Sequence, residues 1–134
     1  MNEQENVKIM RAAYDAFSRG DIPAVFTFLA EDAEYIAVGP AGVIPWAGTY
    51  RGHAEIGQFF TRLGEALDFQ AFSAQEFIAQ GDKLAVVVHG RYKVRSNGKV
   101  FETNPQHTVT FRDGKVVRLI ALDDTATIAA MLAA

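Results

Sequence analysis

Cysteine is absent from the chain, which excludes disulfides, thiolate metal sites and a cysteine nucleophile together. That absence suits a reducing compartment, and a cytoplasmic protein is expected. Proline and tryptophan are scarce, at 4 and 1 of 134 residues. No apolar run approaches the roughly 20 residues that a membrane-spanning helix needs. The start, Met1 to Lys8, is polar and acidic rather than basic and then apolar, so no secretory leader is expected. Basic charge is short too: 13 Lys and Arg against 16 Asp and Glu leave a net charge of -3, the wrong sign for a nucleic-acid binder. His53, His89 and His107 show no metal-ligand spacing, and no glycine loop is built to cradle phosphate, so neither metal nor cofactor is expected.

What is present is apolar. Residues of that kind make up 49% of the chain and include 10 phenylalanines, enough for one well-filled domain over 1-134, with room for an apolar cavity. Val7, Met10, Tyr14 and Phe17 recur at helical spacing, and Gly20 stops a helix over Glu3 to Arg19. A short helix follows from Asp21, a candidate N-cap with Pro23 in its first turn. Ala33 to Val38 reads as a strand, and Gly39 to Gly52 as a long, glycine-rich loop of the kind that covers a pocket mouth. A third helix runs from His53 to about Leu67. Strands then follow over Phe69 to Ala79, Lys83 to Arg95, Val100 to Arg112 and Lys115 to Asp123, with turns at Gly81-Asp82, Asn97-Gly98 and Asp113-Gly114. Asp124 caps a last helix over Thr125 to Leu132. Helices first and strands afterwards indicate an α+β domain, with N-terminal helices packed on one face of an antiparallel sheet.

Two of these strands carry the candidate chemistry. Alternation places Phe101, Thr103, Pro105, His107, Val109 and Phe111 on one face of the first, and Val117, Leu119, Ala121 and Asp123 on one face of the second. The Asp113-Gly114 turn makes the two strands neighbours, so His107 and Asp123 are expected to look into one apolar space as acid/base residues. The bland alternatives are a space-filling histidine bonded to a tyrosine or carbonyl, and an aspartate helping to cap the last helix. Tyr14, Tyr35, Trp46 and Phe101 are the candidate ligand-lining residues; Trp46 is read either as a lid or as a packing anchor. In the central strand, Val87, His89, Arg91, Lys93 and Arg95 form an outer face with no helix to cover it, which predicts a homodimer interface.

Order and spacing of several motifs resemble the nuclear transport factor 2-like superfamily, in its SnoaL-like and ketosteroid isomerase-related branch. They are Tyr14-Asp15-Ala16-Phe17 running into Gly20-Asp21, Leu29-Ala30-Glu31-Asp32-Ala33, Trp46-Ala47-Gly48-Thr49-Tyr50-Arg51-Gly52, and Phe111-Arg112-Asp113-Gly114-Lys115-Val116-Val117-Arg118 leading to Asp124-Thr125. The resemblance covers nearly the whole chain. It implies a cystatin-like cone, a curved sheet wrapped around helices over a deep apolar pocket, usually in a homodimer. Function does not follow from fold, and residue by residue the family's known chemistries are incomplete here. The isomerase base falls at Ala37, its oxyanion-hole tyrosine at Ala13 beside Tyr14, and its protonated acid at or next to His107. The aspartate of SnoaL-like cyclases falls at Ala121, with Asp123 two residues on, and the Arg-x-Asp element of limonene epoxide hydrolase near Arg91-Tyr92-Lys93 lacks its aspartate.

The sequence therefore points to a dimeric, cofactor-independent enzyme that moves a proton at carbon on a small apolar carbonyl compound, by isomerisation, cyclisation or dehydration. The alternative is a non-catalytic ligand-binding or protein-interaction module of the same fold.

Overall fold

The computed structural model describes residues 2–133. Helix α1 (Glu3–Ser18) starts at Asn2, whose side chain accepts the Glu5 N–H, and buries Met10, Ala13 and Tyr14 on one stripe. Gly20, with φ of 75°, ends it in the left-handed conformation that glycine tolerates best. Asp21 caps the short α2 (Ile22–Phe26) through the Ala24 N–H. Helix α3 (Gly52–Ala66) buries Ile56 and Phe59, and α4 (Thr125–Leu132) buries Ile128 under an Asp124 cap.

These helices pack on a sheet of seven strands: β1 (Leu29–Ala37), β2 (Gly48–Arg51), β3 (Leu67–Gln80), β4 (Lys83–Val94), β5 (Val100–Thr103), β6 (Gln106–Arg112) and β7 (Lys115–Leu122). Their order is β2-β1-β7-β6-β4-β3, with β5 also on β4. All pairings are antiparallel except β1 with β7. The fold class read from the sequence thus holds, with one parallel pair added.

Four local differences have physical causes. β1 begins at Leu29 rather than Ala33; a register shift between Leu29 and Glu34 breaks the alternation that marks a strand. The expected loop contains β2, whose Tyr50 pairs with Tyr35. The expected strand from Val100 to Arg112 is split at Asn104-Pro105, because proline has no N–H to continue the ladder. The Pro105 carbonyl is still used, accepting the Val88 N–H at 2.9 Å. Finally, a bulge after Thr110 turns Val116 fully inward where Val117 was expected.

The inner face of β4 is the spine of the core: Leu84, Val86, Val88, Tyr92 and Val94 are all buried. Leu84, Val86 and Val88 pack with Met10, Tyr14, Val109 and Phe111. Tyr92 and Val94 pack with Trp46, Ile56, Phe59, Phe101 and Ile128. Tyr35 and Phe72 touch both groups, and the cavity lies where the two groups meet.

Candidate functional site

The cavity measures about 130 Å³ and is walled mainly by apolar side chains, among them the rings of Phe17, Phe59, Phe60, Phe69, Phe72 and Phe101. All six residues singled out in the sequence line it: Tyr14, Tyr35, Trp46, Phe101, His107 and Asp123. So do Ala13, Ala37 and Ala121, the three positions where the resemblance places functional side chains that this chain lacks.

Its polar groups fall into two sets. In the first, Tyr14 Oη from α1 lies 2.7 Å from His107 Nδ1 on β6, and the two rings are nearly parallel, at 13°. Burial pushes His107 down to about 4, so the ring is neutral at physiological pH. Burial, with a smaller contribution from Tyr35, raises Tyr14 well above its ordinary value, so the phenol keeps its proton. Tyr14 Oη has no other partner among the described residues. Its O–H is satisfied within the protein by donating to Nδ1, which puts the imidazole proton on Nε2.

The second set surrounds Asp123, just past the end of β7. Its Oδ1 accepts the Asp124 N–H at 2.8 Å. Burial nevertheless wins: the carboxyl is raised above its usual value, with Asp124 adding repulsion. Tyr35 is raised by burial and then by the Asp123 charge. Tyr92 is pushed up to about 12, chiefly by burial, and Asp123 adds to it. Both phenols therefore keep their protons and sit within the field of the carboxylate.

His107 and Asp123 share the cavity as the strand parity requires, but they are not a salt-bridged pair. His107 stands opposite Ala121, and Asp123 lies two residues further, about 7 Å along the strand. The downward shift of His107 comes from burial, with no contribution from Asp123. Trp46 is 8% exposed and belongs to the core, so its segment is not a free lid. Its carbonyl accepts the Tyr50 O–H at 2.9 Å, and Arg62 in turn donates to Tyr50 Oη. The loop ahead of it is tied at Val38, whose N–H donates to the Ala121 carbonyl.

The sequence reading missed Tyr92, which lines the cavity with the carboxylate. The available signal was Gly90, a glycine inside an otherwise regular strand two residues before a tyrosine. The other histidines lie elsewhere. His53 Nε2 is 3.1 Å from the Leu29 carbonyl, and His89 is on the outer sheet face between Asn104 and Glu102. Among the described residues no three His, Asp or Glu side chains gather closely enough to hold a metal ion.

A curved sheet backed by N-terminal helices, enclosing an aromatic cavity with a few polar groups, defines an NTF2-like protein. More narrowly, the chain belongs to the SnoaL-like domain family, whose model matches residues 10–119. It is similar to an NTF2-like protein from Burkholderia xenovorans, at 32% identity over 99% of each chain with a TM-score of 0.84. It is also similar to an NTF2-like protein of unknown function from Burkholderia pseudomallei, at 28% identity over the whole of both chains with a TM-score of 0.88. A third similar structure is TerC co-crystallised with polyporic acid, at 28% identity over 96% of this chain and 98% of that one, with a TM-score of 0.84. No curated protein matches the chain.

Proposed function

We propose that this protein catalyses cofactor-independent proton transfer at a carbon beside a carbonyl, on a neutral, apolar molecule about one ring in size. The observation that carries the reading is the separation of two polar sets in one aromatic cavity: Asp123 with a raised carboxyl, and His107 neutral with a free N–H. Asp123 takes a proton from the α-carbon. The resulting enolate oxygen accepts a hydrogen bond from His107 Nε2, and Tyr14 holds the ring in the orientation and tautomer this requires. Where the ketone carries a β,γ-double bond, return of the proton from Asp123 to the γ-carbon isomerises the substrate; where it carries a β-hydroxyl, transfer of that proton to the leaving oxygen releases water and dehydrates it.

Two features support the substrate class. An apolar cavity of about 150 Å³ accommodates benzene, so 130 Å³ suits a single ring. Among the described residues Asp123 is the one charged side chain lining the cavity, and no Lys or Arg lines it. An anionic substrate would meet a carboxylate with no counter-charge. The co-crystallisation of TerC with polyporic acid supports ligand uptake by this fold.

The test is solvent-deuterium uptake at the α-carbon of a panel of neutral single-ring ketones, with their carboxylated counterparts as controls. Uptake by the neutral compounds that is lost in Asp123→Asn supports the reading. Tight binding of such a compound without any uptake favours the second reading, a binding module of the same fold, for which the alanines at 13, 37 and 121 speak.

We also propose a homodimer through the outer sheet face. Ile36, Ile120, Thr108, Ala85 and Ile78 are paired in one row across β1, β7, β6, β4 and β3. Ile78 is 57% exposed and Leu122, in the next row, is 51% exposed. Glu34 with Arg51 and Arg118 borders the row on one side, and His89 with Glu102 on the other. An apolar stripe between such edges is self-complementary under a two-fold axis.

A further inference from the structure

Gly90 stands inside β4, where glycine weakens a strand and so calls for a reason. Its backbone does not require glycine, since its φ is not among the positive ones. The space does: a Cβ built at position 90 would overlap the hydroxyl and ring of Tyr92, which folds back along its own strand over the bare backbone. The Tyr92 hydroxyl therefore lies at the level of Gly90 rather than its own, opposite Thr103 on β5. There Thr103 Oγ1 donates to Tyr92 Oη at 3.2 Å, and each residue is only 4% exposed. With its oxygen accepting from Thr103, the phenol has its own proton left over, and no acceptor for that proton stands among the described residues. Tyr92 lines the cavity, and burial keeps it protonated. A buried hydroxyl with an unspent proton, facing an apolar cavity, is a donor that only a ligand can satisfy.

Strand register places this donor relative to the other two polar groups. Val86 pairs with His107 and Gly90 with Thr103, so the Tyr92 hydroxyl lies four strand positions from the imidazole, about 13 Å at backbone level. Asp123 comes between them. Ala121 faces His107, and two residues further the chain reaches the level of Pro105, midway between His107 and Thr103. The order along the inner face is therefore His107, Asp123, Tyr92 hydroxyl. Two oxygens at opposite ends of a six-membered ring, with a hydrogen bond at each, span about 11 Å, whereas oxygens on neighbouring carbons span about 8 Å. Only the first approaches the separation of the donors. We propose that Tyr92 is a second oxygen-binding donor of the cavity, so that the molecule it takes is a single ring with acceptor oxygens at opposite ends, one held by His107 and the other by Tyr92. The proposal rests on the reading of the cavity as a single-ring ketone site and narrows its substrate class. It makes Tyr92 a specificity-determining residue, seated by Gly90 and Thr103, and leaves Asp123 facing the carbons between the two oxygens.

The test measures the affinities of cyclohexane-1,4-dione, 2-hydroxycyclohexanone and cyclohexanone by NMR titration of the wild-type protein and of Tyr92→Phe. The variant should bind the 1,4-dione about fivefold more weakly, the loss of one hydrogen bond, and the other two rings within twofold of wild type. Thr103→Val keeps the phenol but removes the donor that seats it, and should weaken the 1,4-dione in the same direction. A second reading needs no variant: in the wild type, the Tyr92 ζ-carbon should shift on adding the 1,4-dione and far less on adding cyclohexanone. Equal losses for all three rings in Tyr92→Phe would make Tyr92 a wall of the cavity and overturn the proposal. So would no loss for any of them, or an unmoved ζ-carbon in the dione complex. Deuterium uptake into cyclohexanone without the selective loss keeps the proposed reaction and strikes the second donor. The selective loss in a protein that shows no uptake keeps the donor and strikes the reaction, and failure of every ring to bind strikes both.

Discussion

The titration of a single residue, His107, should show in the stability of the whole fold. Its native ring titrates at about 4 against an ordinary 6.5, so between those values the unfolded chain binds the proton and the native protein does not. Stability is fully present above about 6.5 and is lost as pH falls towards 4, by about 3 kcal/mol. Asp123 runs the other way: its raised carboxyl favours the native state at low pH and loses that contribution as pH rises above 3.8. Chemical denaturation at several pH values, in wild type and in His107→Gln, separates the two. The variant should lack the loss on going from neutral to mildly acid pH, and equal slopes would mean that His107 is solvated. Trp46 is the second case. A core tryptophan truncated to alanine costs about 3–5 kcal/mol, so Trp46→Ala should lower the unfolding midpoint sharply, where a mobile lid would leave it unchanged. The tryptophan's two roles could not be separated in the sequence, because a lone loop aromatic beside Pro45 gives no burial pattern.

At the level of elements, α4 closes the cavity with Thr125 and Ile128 and is held at both ends. Asp124 accepts from Thr127 N–H and Oγ1 at the start. At the finish, the Asn97 side-chain amide donates to the Met131 and Ala133 carbonyls, the latter shared with Lys99. Asn97→Ala removes the C-terminal clasp and should cost about 1 kcal/mol. Amide exchange in α4 should rise more than elsewhere, and ligand association should quicken. Uniform exchange across the chain would show that α4 does not open by itself. Strands and helices with clean periodicity were legible in the sequence: Leu84 to Val94 in β4, Phe101 to Phe111 across β5 and β6, and the whole of α4. What was hidden depended on partners distant in the chain. β2 is too short to have a period, the start of β1 is fixed by its parallel neighbour, and the choice of Val116 over Val117 follows from a bulge that only pairing creates.

Across the whole molecule, the outer sheet face should hold two copies together, and light scattering at micromolar concentration should give twice the mass of the 14.7 kDa chain. Ile78→Lys, on the exposed row, should return it to one, and a wild-type monomer would remove the interface. The cone also explains how much of the site was legible. Parity on two neighbouring strands was enough to bring His107 and Asp123 to one cavity. The groups around each come from elsewhere: Tyr14 from α1 beside His107, and Tyr35 from β1 and Tyr92 from β4 within the field of Asp123. The proposed mechanism requires this convergence to keep the two polar groups apart in function, one a neutral donor and the other a base. It is tested most directly by ¹⁵N NMR of the His107 ring against pH, in wild type and Asp123→Asn. The imidazole should stay neutral down to mildly acid pH, protonated on Nε2, with the same titration in both proteins. Titration near the ordinary histidine value, or a titration that moves when Asp123 loses its charge, would contradict it.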